Sequence, residues 1–511
     1  MTAGDYHSMR DHQGTLAVSA DVVIVGSGAG GAVVAKELAE SGQSVVVLEE
    51  GARVTQKEYR AFRPSESLRH MWRDGALTIA MGLGGTPAVN VTMGKAVGGS
   101  SVITGGVCFR IPEAVLHEWT TDLGLRDYDA KAMEPFFERV EEATHVEEVP
   151  ASMQSRSSAL FGIGAEKKGL SVEPMRRNTE GCNGCGRCNF GCPHGAKRSV
   201  DLSYLPQAVR DGADVYSHCR VDRIVMKGRR AVGVRGRLLN RRGGRRGDRF
   251  EVHAKRVVVA CGAWHTPTLL IRSGIGSRRH VGRNMTLHPG FRMLARFDEP
   301  VRGWRGALQS THSSSLENEG ITLTSLFVPT GVLGATMPGV GVEHTDNAQH
   351  IGHLAMYGGI IHDHGGGGRI YPGFGREPFV TYRMTKEELA RIPRLLNVMA
   401  ESFFEAGAKE VFLPVLGLRG QTADQLKKLD LSRVPGRQIE CASQHPLGSA
   451  QMGSSPDRGA TDENGKVWDT EQLYVTDGSI LPTSLGVNPQ LAIMAIATRV
   501  ATRMRDDALP T

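Results

Sequence analysis

No apolar run in this chain approaches the length of a membrane span. Its first residues, MTAGDYHSMRDHQG, are polar, with no apolar segment behind a basic start. A secretory leader is therefore not expected, and a cytoplasmic location is. Basic residues interleaved with aromatics are missing too, so the chain offers no motif for nucleic acid. The net charge of +7 does not supply one, because much of it sits in residues 241–249 (RRGGRRGDR), between two strand-like runs. That stretch reads as a solvated hairpin loop. Internal repeats are absent, and no low-complexity tract exceeds residues 362–368. A scattered disulfide framework is also excluded: of eight cysteines, four crowd between Cys182 and Cys192. What remains is a 511-residue chain, long enough for two or three domains or one large interleaved enzyme.

The most informative stretch is residues 21–51, DVVIVGSGAGGAVVAKELAESGQSVVVLEEG. Residues 22–25 form a β-branched run of the kind buried on both faces of a sheet. Gly26, Gly28 and Gly31 follow in G-x-G-x-x-G spacing. The first permits a sharp turn, the second leaves room for a pyrophosphate, and the third lets a helix close onto the strand. Residues 32–41 are helical by composition, so the helix N-terminus faces the phosphates. A second strand follows at 44–48. Glu49 then stands 23 positions after Gly26, against the roughly 20 expected of a ribose-binding acid.

Residues 81–106 are so rich in glycine that backbone lying close to a ligand is expected there. Residues 135–143 read as an amphipathic helix. Residues 214–238 read as a hairpin meander, and 250–261 as a strand that breaks at Gly262 before a helix at 268–273. Between 293 and 414 the pattern mixes β-type segments (321–328, 379–382) with glycine loops and one helix, 390–406. Order returns at 473–504, with a short strand, a Pro/Gly turn through Asn488-Pro489, and a helix for which Pro489 suits the first turn.

These motifs resemble the glucose–methanol–choline (GMC) oxidoreductase family, FAD enzymes that oxidise alcohols. The likeness covers nearly the whole chain. It rests on the 21–51 fingerprint, VGGSSVITGGVCFRIP (97–112), CGAWHTPTLLIRSGIG (261–276), VGRNMTLHP (281–289), SQHPLGSAQMG (443–453) and LYVTDGSILPTSLGVNPQ (473–490). Thr104 departs from the pattern, since many members carry Asn there. The resemblance implies an α/β chain in which a Rossmann-like FAD-binding domain (15–118, 200–292, 430–511) interleaves with an α+β substrate domain on an antiparallel sheet (119–199, 293–429). It also implies that Gly26, Gly28, Gly31 and Glu49 hold the ADP half of FAD. Gly98, Gly99, Ser100, Thr104 and Gly105 would lie along the pyrophosphate and flavin. Val221 would meet the adenine, Asp477 the phosphates, and Asn488 the pyrimidine end of the flavin. The last helix would begin beneath that end and stabilise negative charge on it.

Alcohol oxidation needs a base for the hydroxyl proton while hydride leaves for flavin N5, and a neutral imidazole suits that task. His445 matches the family's catalytic histidine. Asn488, 43 positions later, matches the second active-site position, His or Asn in the family. An amide orients but cannot deprotonate, so the proton falls to His445. His194, His265 and His288 read as structural.

Cys182, Cys185, Cys188 and Cys192, with Pro193, have the C-x2-C-x2-C-x3-C-P spacing of bacterial ferredoxins. Zinc fits that spacing poorly. The family's sugar dehydrogenases carry a similar segment with an iron–sulfur cluster. Its long-chain alcohol oxidases carry a related one with no cluster generally assigned. An iron–sulfur site and a structural loop both stay open at this point. The GGVCFRIP variant, the cysteine segment and the apolar stretch 326–340 (LFVPTGVLGATMPGV) favour a long-chain or steroid-like alcohol. Oxygen or an external acceptor would take the electrons. The alternatives are a sugar or polyol dehydrogenase relaying electrons through the cysteines, and a flavin carrier with no alcohol substrate of its own.

Overall fold

The computed structural model describes residues 3–240, 248–276, 280–365, 367–373, 375 and 377–507. The run at 22–25 is the buried end of a longer strand, Leu16–Val25. Side chains covered on both faces require a central position in a sheet, and this strand has one. Val45–Leu48 pairs with it in parallel on one side, and Arg249–Val259 in parallel on the other. Beyond Val45–Leu48 come Asp214–Ser217 and then Tyr6–Ser8, both parallel. The far edge of Arg249–Val259 is shared. Its first half pairs antiparallel with Arg230–Leu238, and its end pairs in parallel with Leu473–Val475. The meander expected at 214–238 is thus one parallel strand, Asp214–Ser217, followed by a hairpin of Cys219–Lys227 and Arg230–Leu238. Most of the basic stretch 241–249 lies outside the described residues. The helices Ala29–Glu40 and Gln490–Asp506 pack on each other and on this sheet, sharing one core with Trp119, Phe137 and Val140.

The second sheet is assembled from distant parts of the chain. Its order is Arg369–Tyr371, Phe379–Tyr382, Ile79–Gly82, Val89–Val91, Cys441–Ser443, Gly290–Arg296, Leu354–Ile361, Ile321–Ser325, Thr311–Ser313 and Glu173–Pro174. Most neighbours are antiparallel, but Phe379–Tyr382 runs parallel to Ile79–Gly82, and Cys441–Ser443 parallel to Val89–Val91. Alternation divides its faces. Phe291, Met293, Leu323, Tyr357 and Ile361 enter a core beneath the helix Lys386–Glu405, where Phe161 stacks on Tyr357 at 3.6 Å between centroids. That helix starts four residues before the expected 390, because Thr385 caps it in a reciprocal box with Glu388. The other face carries Asn90, Ala442, Gly290 and Ile360, all lining a cavity that also reaches the first sheet. No helix among the described residues is long and apolar enough to cross a membrane.

Candidate active site

One cavity of about 1860 Å³ runs from the glycine turn of the first sheet to the open face of the second. Gly26 turns with φ +103°, and a Cβ there would lie 2.2 Å from the Ala260 carbonyl oxygen. Beyond it, Gly28 meets Gly99 of the other glycine motif. A Cβ on Gly99 would come within 2.7 Å of the Gly28 Cα. The two backbones therefore meet bare at the head of the Ala29–Glu40 helix and line the cavity together, where the helix N-terminus favours negative charge. Such a cradle fits a dinucleotide's pyrophosphate.

Gly26, Gly28, Glu49, Gly99, Ser100, Thr104, Gly105, Val221, Asp477 and Asn488 all line the cavity. Gly31 and Gly98 stand one layer behind. Gly31 lets its helix approach the Gly26 carbonyl, and Gly98 donates its N–H to Ser27 Oγ at 3.1 Å. Glu49 accepts from the Ser27 hydroxyl at 2.7 Å and the Gly51 N–H at 2.8 Å, and burial pushes its carboxyl up. Asp477 accepts from Gly262 N–H (2.9 Å), Thr266 Oγ1 (2.5 Å) and Ser479 N–H (2.8 Å), which ties two motif segments together.

At the other end, His445 Nε2 lies 3.2 Å from Asn488 Nδ2, and both line the cavity. His445 follows the strand Cys441–Ser443, and its N–H is held by Ser443 Oγ at 3.0 Å. Asn488 comes two residues before the helix Gln490–Asp506, whose first residue also lines the cavity. Pro489 therefore sits at the cap, one position earlier than expected. Burial pulls the His445 imidazole down to about 4, so it is neutral near neutral pH. Among the described residues its Nδ1 has no hydrogen-bond partner, nor has Asn90 Oδ1 farther along the cavity wall.

Motif reading gave His288 only a structural role and overlooked Asp363. His288 is fully buried at φ +48°, and its Nε2 accepts the N–H groups of Leu485 (3.1 Å) and Gly486 (3.0 Å). Asp363 accepts from Leu287 N–H (2.6 Å), His288 N–H (3.1 Å), Tyr382 Oη (2.7 Å) and Ser484 Oγ (3.1 Å). Together they lock the turn that delivers Asn488. A lone Asp in a glycine-rich tract gives no sequence signal for this. His265 bonds Glu377 at 2.8 Å.

The ligand set expected from Cys182, Cys185, Cys188 and Cys192 is not assembled. Among the described residues, no three His, Cys, Asp or Glu side chains are grouped to hold an ion. Cys188 Sγ instead accepts from Arg177 Nη2 at 3.0 Å, Cys192 Sγ from the Lys197 N–H at 3.4 Å, and Cys185 is exposed. Two buried cations, Arg177 and Lys197, flank the thiols. Their work is elsewhere. Arg177 grips the Gly105 carbonyl (2.8 and 2.6 Å), and Lys197 Nζ grips those of Val102 (2.9 Å) and Thr104 (2.8 Å). The cysteine loop thus buttresses the glycine segment that lines the cavity.

A parallel sheet with a glycine turn at a helix head, and a second sheet bringing imidazole and amide to the same cavity, define an oxidoreductase of flavoprotein type. The chain belongs to the GMC oxidoreductase family, whose N-terminal model matches residues 20–290 and whose C-terminal model matches 376–497. It is 37% identical over 484 residues to an uncharacterized GMC-type oxidoreductase of Mycobacterium tuberculosis, covering 94% of this chain and 75% of that one. It is 27% identical over 527 residues to the long-chain-alcohol oxidase FAO1 of Arabidopsis thaliana, covering 96% and 67%. The solved structure of pyridoxine 4-oxidase from Mesorbium loti superposes with a TM-score of 0.73 at 20% identity, covering 96% and 99%. The chain is accordingly an FAD-dependent oxidoreductase of the alcohol-oxidising type.

Proposed function

We propose that the protein oxidises an apolar alcohol, long-chain or steroid-like, to its carbonyl compound, with His445 as base and Asn488 as its partner. Bound FAD would accept the hydride that leaves the carbinol carbon. Gly26, Gly28, Gly31, Glu49, Gly98, Gly99, Ser100, Thr104, Gly105, Val221 and Asp477 would hold it, with Asn488 at its pyrimidine end. The observation that carries the reading is the 3.2 Å approach of His445 Nε2 to Asn488 Nδ2 on the cavity wall. An alcohol oxygen that replaces their mutual contact and bridges both atoms gives its proton to the imidazole and receives the amide N–H. Because burial keeps His445 neutral, the base is ready without prior deprotonation.

Apolar parts of the remaining lining support the substrate class. Leu326, Phe327, Val328 and Val332 of the apolar stretch all border the cavity, with Leu308 and Phe291. A sugar would leave its hydroxyls unpaired against such a wall. The relay version of the sugar reading also loses its ligand set at the cysteines. We further propose that segments 15–118, 200–292 and 430–511 chiefly serve the cofactor, and 119–199 and 293–429 the substrate. The strands Val89–Val91 and Cys441–Ser443 would then bridge the two. An anaerobic panel of alcohols tests the proposal. Long-chain or steroid alcohols should bleach the flavin and sugars should not. Admitting oxygen then tells whether oxygen or another acceptor takes the electrons.

A further inference from the structure

The second sheet's cavity face does not stop at the cavity. Cross-strand partners project to the same side of a sheet, and one row can be followed across it. Thr322 pairs with Ile360, Ile360 with Gly290, Gly290 with Ala442, Ala442 with Asn90, and Asn90 with Ile79. Thr381 pairs with Met81, so two residues back the same parallel register sets Phe379 beside Ile79, and Phe379 pairs with Tyr371. The middle of this row is cavity floor. Its end, on the strands Ile79–Gly82, Phe379–Tyr382 and Arg369–Tyr371, faces outward.

Alternation should make an outward face polar when the opposite face is buried. Here the opposite face is buried, through Ala80, Ile370, Val380 and Tyr382. The outward face nevertheless carries Ile79, Met81, Tyr371 and Phe379, with Leu77 and Leu83 flanking them. These are six of the ten large apolar side chains exposed among the described residues, and Ile79 is 51% and Phe379 53% accessible. Concentration of this kind marks an interaction site. Arg369, and Arg383 just after the strand Phe379–Tyr382, lie on the same face by alternation and are exposed. Arg437 lines the cavity, and its neighbour Gly436 packs on the Gly85 carbonyl, just beyond the strand Ile79–Gly82. The chain's net charge of +7 has the same sign.

We propose that this end of the sheet seats on an anionic phospholipid bilayer, with the apolar tips among the acyl chains and the arginines at the phosphates. Ile79 belongs both to the exposed patch and to the cavity wall. A water-insoluble alcohol would then pass from bilayer to cavity over Ile79, without crossing water. The last point rests on the apolar-alcohol reading; the docking surface itself does not.

Flotation of the FAD-loaded protein with vesicles of phosphatidylcholine and phosphatidylglycerol, in the absence of any alcohol, tests the surface. The wild type should float. Met81→Ser/Tyr371→Ser/Phe379→Ser should weaken binding at least about tenfold, with melting temperature and oxidation of a short, water-soluble alcohol unchanged. Arg369→Gln/Arg383→Gln should weaken binding several-fold and flatten its salt dependence. The proposal is overturned if the wild type stays in solution, if the triple variant floats equally well, or if the wild type is a dimer that the triple variant splits. Because flotation needs no turnover, its failure is separate from a failed alcohol panel, which would overturn the substrate reading alone.

Discussion

The two sheets meet the same cavity in opposite ways. The first meets it with bare backbone: Gly26, Gly28 and Gly99 approach so closely that a methyl group on Gly26 or Gly99 would strike main chain. The second meets it with side chains, among them Asn90, Arg292, Thr324 and Ile360, on a scaffold buried behind them. Backbone recognition suits a constant partner, since it depends on chain geometry that few substitutions preserve. Side-chain recognition can be changed one residue at a time. The proposed catalytic pair stands at the seam, just after the end of a second-sheet strand and just before the helix that covers the first.

The largest expected effect lies at that seam. His445→Ala should keep FAD and lower alcohol-dependent flavin reduction by about 10²–10⁴-fold. Rapid-mixing reduction kinetics measure it, and near-normal reduction would remove the assignment. On the backbone side, Gly31→Val would set its Cβ about 2.0 Å from the Gly26 carbonyl oxygen. The helix must lift from the strand, at about 1–3 kcal/mol. Flavin content after purification should fall together with the melting temperature. A variant that keeps full flavin would break the contrast, because the cradle would then tolerate side chains.

The same contrast explains what could be read from the sequence. The first sheet was legible because its central strands are unbroken β-branched runs and its turn is a glycine pattern with one physical solution. Residues 22–25, Glu49 and the final helix all fall where local pattern put them. The second sheet was not. Its strands are mostly three to eight residues long, contain glycines such as Gly290, Gly358 and Gly359, and come from both ends of the chain. Pairing Ile79–Gly82 with Phe379–Tyr382 across some 300 residues leaves no local trace. Asp363 was missed for that reason, and the structural reading of His288 could name no partners, since their contacts exist only after the sheet has formed. The cysteine run left two readings open for the same reason. Its spacing is local, but the partners that its loop finds, Arg177 and Lys197, lie outside the run itself.

Two intermediate effects sharpen the seam further. Asn488→Ala removes the donor facing the substrate oxygen and should lower flavin reduction about tenfold to a hundredfold, less than the loss of the base. In the pH profile, burial lowers His445 from 6.5 to about 4. The neutral base therefore persists as pH falls, and the acid limb of flavin reduction should lie near about 4. A limb at the ordinary imidazole value would mean that the site is wet or the base is another group. Stability has its own sign. Between 6.5 and about 4 the unfolded chain takes up protons that folded His445 and His362 refuse. Their contribution to folding, full above 6.5, is lost as pH falls through that window.

The smallest effect asks whether the two sheets are separate bodies at all. Thr385 caps the helix that covers the second sheet, far from the glycine cradle, and Thr385→Ala should cost about 1 kcal/mol. Independent sheets would let the second soften while flavin release stayed fixed. The connectivity argues otherwise. The chain leaves the first sheet after Val45–Leu48, supplies Ile79–Gly82 and Val89–Val91 to the second, and returns through Gly99–Ile103 to the cradle. It crosses again at Cys441–Ser443 before Leu473–Val475. Strands shared in this way cannot be released from one sheet without pulling on the other. Flavin fluorescence and far-ultraviolet dichroism should therefore shift together, by about 2 °C or less for a chain of this size. A shift in dichroism alone would divide the molecule into two cooperative units.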